Sequence, residues 1–210
     1  MSRELVILVA DNTMRAVFSA FFERRFHRSL GCAPFAFHPH LDLCRDPLNT
    51  DGGVHKRCHE ILRPYLATHK RAIVVIDQQF GGERPAEEVR AEIEHRLNAN
   101  GWRGRAAAAV IDPELEVLLW QDNPNVEHAL GHKGPPLRQI LAADGRWPAD
   151  AVKPPAPKEL IQEVIRKNRA GAPDAVYSRI ARTVSTHGCV DPAFHRIRET
   201  LREWFPAEGA

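Results

Sequence analysis

The chain has 210 residues, 43% of them hydrophobic, enough for one main domain with a sizeable core and a further extension. Its 29 lysines and arginines against 27 aspartates and glutamates leave a formal net charge of +2, which excludes a broad field directing it to nucleic acid. No apolar run approaches the ~20 residues that span a bilayer, and the amino terminus carries no signal-peptide pattern, so no membrane partner is expected and the cytoplasm is the expected compartment.

Residues 5–9, Leu-Val-Ile-Leu-Val, are short, β-branched and continuously apolar, as strands covered by helices on both faces are. The run ends at Ala10 and Asp11. Met14, Val17, Phe18, Phe21 and Phe22 then recur at helical spacing, with Asn12 or Thr13 as the expected cap. Residues 34–37 predict a second strand and 54–66 a helix. Residues 73–76, Ile-Val-Val-Ile, predict a third strand running into Asp77, and 85–97 a charged amphipathic helix that closes near Asn100-Gly101. Residues 106–111 predict a fourth strand running into Asp112, Glu114 and Glu116. Alternating strands and helices call for crossover connections, hence an α/β fold with a mostly parallel four-stranded sheet flanked by helices.

Composition shifts at Gly131, so the expected organisation is an α/β domain over 1–131, a proline-rich connection over 132–157 and a helical carboxyl-terminal extension over 158–210. Helices are expected over 158–168, 174–185 and 192–204. In the last of these Asp191 is the N-cap, Pro192 takes the first helical position, and Phe194, Ile197, Leu201, Trp204 and Phe205 form the buried stripe.

Parallel strands would gather the acids at one carboxyl edge, where open α/β sheets place their ligands, and oxygen donors suit a hard divalent ion. The candidate ligands are Asp11, Asp77 and Glu114; the candidate catalytic set is Asp77, Glu114 and Glu116. Asp112 is expected to cap a helix opened by Pro113, with Glu114 in its first turn and facing Asp77.

Other chemistry finds little support. His38, His40, Cys44, His55, Cys58 and His59 crowd together, but their irregular spacing argues against a zinc site. Cys32, Cys44, Cys58 and Cys189 form no CxxC pair and read as free thiols. His187-Gly188-Cys189 places a thiol near an imidazole, though Gly188 reads more simply as a helix C-cap. Trp102-Arg103-Gly104-Arg105 could meet a nucleic-acid strand, yet a tryptophan closing a helix onto the sheet is the commoner arrangement. There is no phosphate-binding loop, dinucleotide fingerprint or HExxH pattern.

The first-strand acid, the Val-Val-Ile-Asp of residues 74–77 and the Pro-Glu-Leu-Glu-x-x-x-Trp of residues 113–120 resemble the Toprim-like proteins of bacterial defence islands. More closely, several segments are similar to a family of the methylation-associated defence system: Leu8-Val9-Ala10-Asp11, Asp51-Gly52-Gly53, the Asp112-Pro113-Glu114 run, Asp122-Asn123, Ala129-Leu130-Gly131, and Asp191-Pro192-Ala193-Phe194 through Trp204-Phe205-Pro206. That similarity spans nearly the whole chain. It implies a Toprim-like sheet domain, a role in resisting phage and partner proteins of the same system. It also implies Mg²⁺ or Mn²⁺ held by a glutamate after the first strand and an Asp-x-Asp after the third.

The chain departs from that pattern twice. Asp11 stands where the glutamate is expected, and Asp77-Gln78-Gln79 keeps only the first aspartate. A glutamine offers a neutral oxygen without the charge that a magnesium site draws upon. The expected function is therefore a defence component acting in assembly or recognition through a degenerate metal site. The alternative is a divalent-metal-dependent nuclease acting on DNA or RNA.

Overall fold

A computed structural model describes residues 2–82, 84–186 and 189–207. The chain runs β1 (Arg3–Val9), α1 (Asn12–Phe22), α2 (Phe26–Leu30), α3 (Pro39–Asp42), β2 (Leu43–Arg45), α4 (Asp51–Leu62), β3 (His69–Asp77), α5 (Ala86–Leu97) and β4 (Ala106–Ile111). It continues through α6 (Glu116–Leu119), α7 (Pro124–Ala129), α8 (Leu137–Ala143), α9 (Pro157–Asn168), α10 (Pro173–Thr183) and α11 (Pro192–Trp204). The four strands form one parallel sheet in the order β2-β1-β3-β4.

Alternate residues of the continuously apolar strands feed two cores, which explains why the strands show no polar face. Val6, Leu8, Val74 and Ile76 pack with Val54, Cys58 and Leu62 of α4 and with Val89, Ile93 and Leu97 of α5. Leu5, Ile7, Val9, Ile73 and Val75 point the other way, onto Val17 and Phe18 of α1. In that same core lie Ile161 and Val164 of α9, Ile180 of α10, and Ile197 and Leu201 of α11. The carboxyl-terminal helices thus complete one face of the sheet. Trp120 reinforces this junction, its buried indole N–H donating to the Pro157 carbonyl at 2.8 Å.

Several expectations need correction. Residues 34–37 are not a strand; β2 is the three-residue Leu43–Arg45, paired Ile7 to Leu43 and Val9 to Arg45. The aromatic residues that suggested a strand fill the core instead: Phe37 sits 4.4 Å from Phe22 between ring centroids, and Phe35 stacks on Phe205 at 4.0 Å. Helix α4 starts before its two glycines because the Thr50 hydroxyl accepts from the Gly53 N–H at 3.1 Å, and it gives way at Pro64 to a tight turn, Arg63–Tyr65. Asp11, rather than Asn12 or Thr13, caps α1.

Asp112 caps nothing and the Asp112–Pro113 bond is cis. Helix α6 waits until Glu116 because the intervening loop pairs with the chain leaving β3: the Gln78 N–H donates to Ile111 O at 2.8 Å and the Gln79 N–H to Pro113 O at 3.1 Å. Helix α10 ends at Thr183, and α11 opens as expected with Asp191 accepting from the Phe194 N–H at 3.0 Å. His187 and Gly188 lie outside the described residues. The proline-rich connection contains α8, whose Arg138 lies 4.4 Å over the Trp147 ring and donates to the carbonyls of Pro148 and Ala149. Among the described residues no helix is long and apolar enough to cross a membrane.

Candidate functional site

The strand order sets the position of the site. From β1 the chain passes to β2 on one side and then crosses back to β3 on the other, so the β1 and β3 carboxyl ends flank a switch point where open parallel sheets bind ligands. Val9 pairs with Val75, which brings Asp11 and Asp77, each two residues further on, to the same level of the sheet. Between them opens a crevice of about 100 Å³ lined chiefly by Asp11, Asp77, Glu116, Lys158, Gln162 and Tyr177.

Local structure holds each acid. Asp11 Oδ1 accepts from the Met14 N–H at 2.7 Å and so begins α1. Asp51, in the first turn of α4, accepts from the Asp77 N–H at 2.8 Å. The approach to that turn is secured by fully buried Asp46, which accepts from Arg57 Nη2 at 2.8 Å and from the Thr50 N–H at 3.3 Å. Glu116 enters from the first turn of α6 and is buried.

Burial, together with the charges of Asp51, Glu116 and Asp11, pushes the Asp77 carboxyl up to about 8, against the backbone N–H of Leu115, which favours the anion. Asp77 is therefore largely protonated at neutral pH. Its Oδ1 is buried without a hydrogen-bond partner. Burial also raises Asp51, with the charge of Asp11 adding to it, and raises Glu116 despite the nearby Lys158 ammonium. Lys158 is raised as well: burial opposes its charge, but Glu116, Glu114 and Asp77 outweigh that effect. Tyr177, 1% exposed, is raised by burial and by the charge and hydrogen bond of Glu116, against a hydrogen bond with Gln162 that favours the phenolate.

Of the acids singled out from sequence, Asp11, Asp77 and Glu116 converge on the crevice. Glu114 serves α9 instead: it is buried, accepts from the Lys158 N–H at 3.2 Å and lies 3.5 Å from Lys158 Nζ. Sequence reasoning missed Asp51, Lys158 and Tyr177 as site residues. Asp51 entered only as part of the Asp51-Gly52-Gly53 segment that carries the resemblance, and the other two come from distant helices with no local pattern to announce them.

The magnesium or manganese ion implied by the resemblance does not fit this donor set. One oxygen of Asp11 and one of Asp51 are committed to backbone N–H groups, and Lys158 lines the crevice beside the acids. Among the described residues no three His, Cys, Asp or Glu side chains are placed to hold one metal ion. The histidines and cysteines read from sequence have other surroundings. His55 Nε2 lies 2.8 Å from Glu92, and burial pushes the thiols of Cys44 to about 12 and Cys58 to about 11. No protein-family model, curated protein or solved structure matches the chain.

Proposed function

We propose that this chain is a component of a multi-protein anti-phage defence system. In this reading a Toprim-like domain with a degenerate metal site acts in recognition or assembly with other proteins of that system, in the cytoplasm. The biological setting rests on the resemblance of the sequence motifs. The non-catalytic reading rests on one observation: Lys158 lines the crevice beside Asp11, Asp77 and Glu116, and among the described residues no three acids are placed to hold one metal ion. Metal-assisted phosphodiester cleavage draws on concentrated negative charge to hold its ions, and here a lysine shares the crevice with the acids.

Purified chain incubated with Mn²⁺ and plasmid DNA or structured RNA is expected to leave both intact. The complete system carrying Asp77→Asn is expected still to protect cells from phage. Cleavage that disappears in Asp77→Asn would overturn the reading. It would favour the alternative, a divalent-metal-dependent nuclease acting on DNA or RNA, for which the convergence of Asp11, Asp77 and Glu116 on one crevice, with Asp51 beside it, is the supporting observation.

A further inference from the structure

We propose that a second cavity, between the segment that follows α6 and the proline-rich connection, is a binding site for a small organic carboxylate with an apolar body. It shares no lining residue with the acidic crevice, so the inference goes beyond the reading above and stands apart from it.

Three observations carry it. The first is a preformed space. The cavity measures about 360 Å³, against about 100 Å³ for the crevice, and so falls within the ~300–1,000 Å³ typical of small-molecule sites. Its walls are braced from within. The rings of Trp120 and Trp147 meet edge-on with centroids 5.5 Å apart, and the Trp147 indole N–H donates to the Ala151 carbonyl at 3.0 Å. Arg138 lies 4.4 Å over the Trp147 ring and donates to the Pro148 carbonyl at 2.8 Å.

The second is charge. Lys153 is half-buried on the cavity wall, and its ammonium donates to the Trp120 carbonyl, one of the three bonds an ammonium can make. Arg138 likewise gives its guanidinium to carbonyls, those of Trp147, Pro148, Ala149 and Ala151. Among the described residues no carboxylate lies within ion-pair distance of either cation. Burial lowers Lys153, and the more distant Cys189 and Asp191 offset this only in part; Asp191 Oδ1 is itself taken by the Phe194 N–H at 3.0 Å. Desolvating a cation without an anion is unfavourable, and an anion in the cavity would offset that penalty. Among the described residues of the wall the acid is Asp122, which is exposed to water. Two cations against one acid leave a single positive charge. That balance suits a carboxylate, whereas a phosphate monoester, at about −1.5 to −2 near neutral pH, exceeds it.

The third is an apolar lip. Val152 and Val190 line the cavity yet are 66% and 54% exposed, so two large apolar side chains stand in water beside the indole walls. A ligand with an apolar body covers them when its carboxylate reaches Lys153.

The test is an NMR titration of the nitrogen-labelled chain with phenylacetate, hexanoate and benzoate. Phenethyl alcohol and phenethylamine, which present a closely similar body with no charge and with a positive charge, are titrated alongside. The indole N–H signals of Trp120 and Trp147 report on the cavity; those of Trp102 and Trp204, which do not line it, are the internal controls. At least one carboxylate is expected to shift the Trp120 and Trp147 signals saturably, and the alcohol and amine to bind at least ~10-fold more weakly. Lys153→Met is expected to weaken the carboxylate by at least ~10-fold. Because that variant also loses the bond to the Trp120 carbonyl, Val152→Glu, at an exposed position, supplies a second check: it should weaken the carboxylate, whereas Val152→Lys should bind it at least as well as wild type. No saturable shift with any of the three carboxylates would overturn the proposal. So would equal binding of the alcohol, or an affinity unchanged in both Lys153→Met and Val152→Glu.

Discussion

The Asp77 backbone N–H donates to Asp51 Oδ1 across 2.8 Å, joining the last residue of β3 to the first turn of α4. The bond fastens two segments separated by 26 positions and sets two carboxyls side by side. It is part of the reason that Asp77 holds its proton.

Replacing Asp51 separates these two effects. Asp51→Asn retains an acceptor for the Asp77 N–H and removes a neighbouring charge, so the Asp77 midpoint falls, as carbon-detected NMR titration would show. Asp51→Ala leaves that N–H without its partner and is expected to cost about 1–3 kcal/mol in urea unfolding. An unchanged Asp77 midpoint in Asp51→Asn would remove Asp51 as a cause.

Asp77 makes folding dependent on pH. Its folded value is about 8 against an ordinary 3.8, so between those values the native state holds a proton that the unfolded chain has released. Stability on this account is greatest at low pH and declines as pH rises towards 8. Asp77→Asn should abolish the decline and stabilise the protein at pH 8 by about 2–4 kcal/mol, below the ceiling of ~6 kcal/mol that 1.36 kcal/mol per pH unit allows. Melting temperatures of both proteins at pH 5 and pH 8 check the sign and the size; parallel curves would refute the assignment.

Asp11 is a helix cap before it is anything else. Asp11→Ala removes the acceptor for the Met14 N–H and is expected to cost ~1 kcal/mol, whereas Asp11→Asn, which caps comparably, should fall within about 0.5 kcal/mol of wild type. A large loss in both variants would mean that the negative charge, rather than the cap, stabilises this corner.

At the opposite end of the sheet, Asp42 is fully buried and accepts from Arg3 Nη2 at 2.7 Å and from the His38 N–H at 2.6 Å, with His69 Nε2 at 3.2 Å. Burial pushes its carboxyl up, but these partners together hold it below 3.8. Its contribution is present above that pH and is lost as pH falls through the lower folded value. Asp42→Ala strands Arg3 and the His38 N–H and is expected to destabilise by about 3–5 kcal/mol at pH 7, with a smaller difference in acid. Chemical denaturation at pH 7 and pH 3 measures both.

Much of the architecture was legible in local sequence. Residues 5–9 and 73–76 are uniformly apolar because α/β packing covers both faces of their strands, and the Asp191-Pro192 start of α11 is written in two adjacent residues. β2 escaped notice because three residues leave too short a run to show a period, while the neighbouring Phe35 and Phe37 mimic a strand and pack as core aromatics.

By itself the sequence determined that acids follow the strands, because strand ends and their next residues are neighbours in the chain. Only the tertiary structure decided which acids share a site. Glu114 and Glu116 are two positions apart, and the loop held by Gln78 and Gln79 sends one to α9 and the other into the crevice. Lys158 reaches Glu114 from 44 positions away. Asp77 holds its proton because burial strengthens the interactions among charges that folding brings together, a sum that exists in no stretch of the chain taken alone.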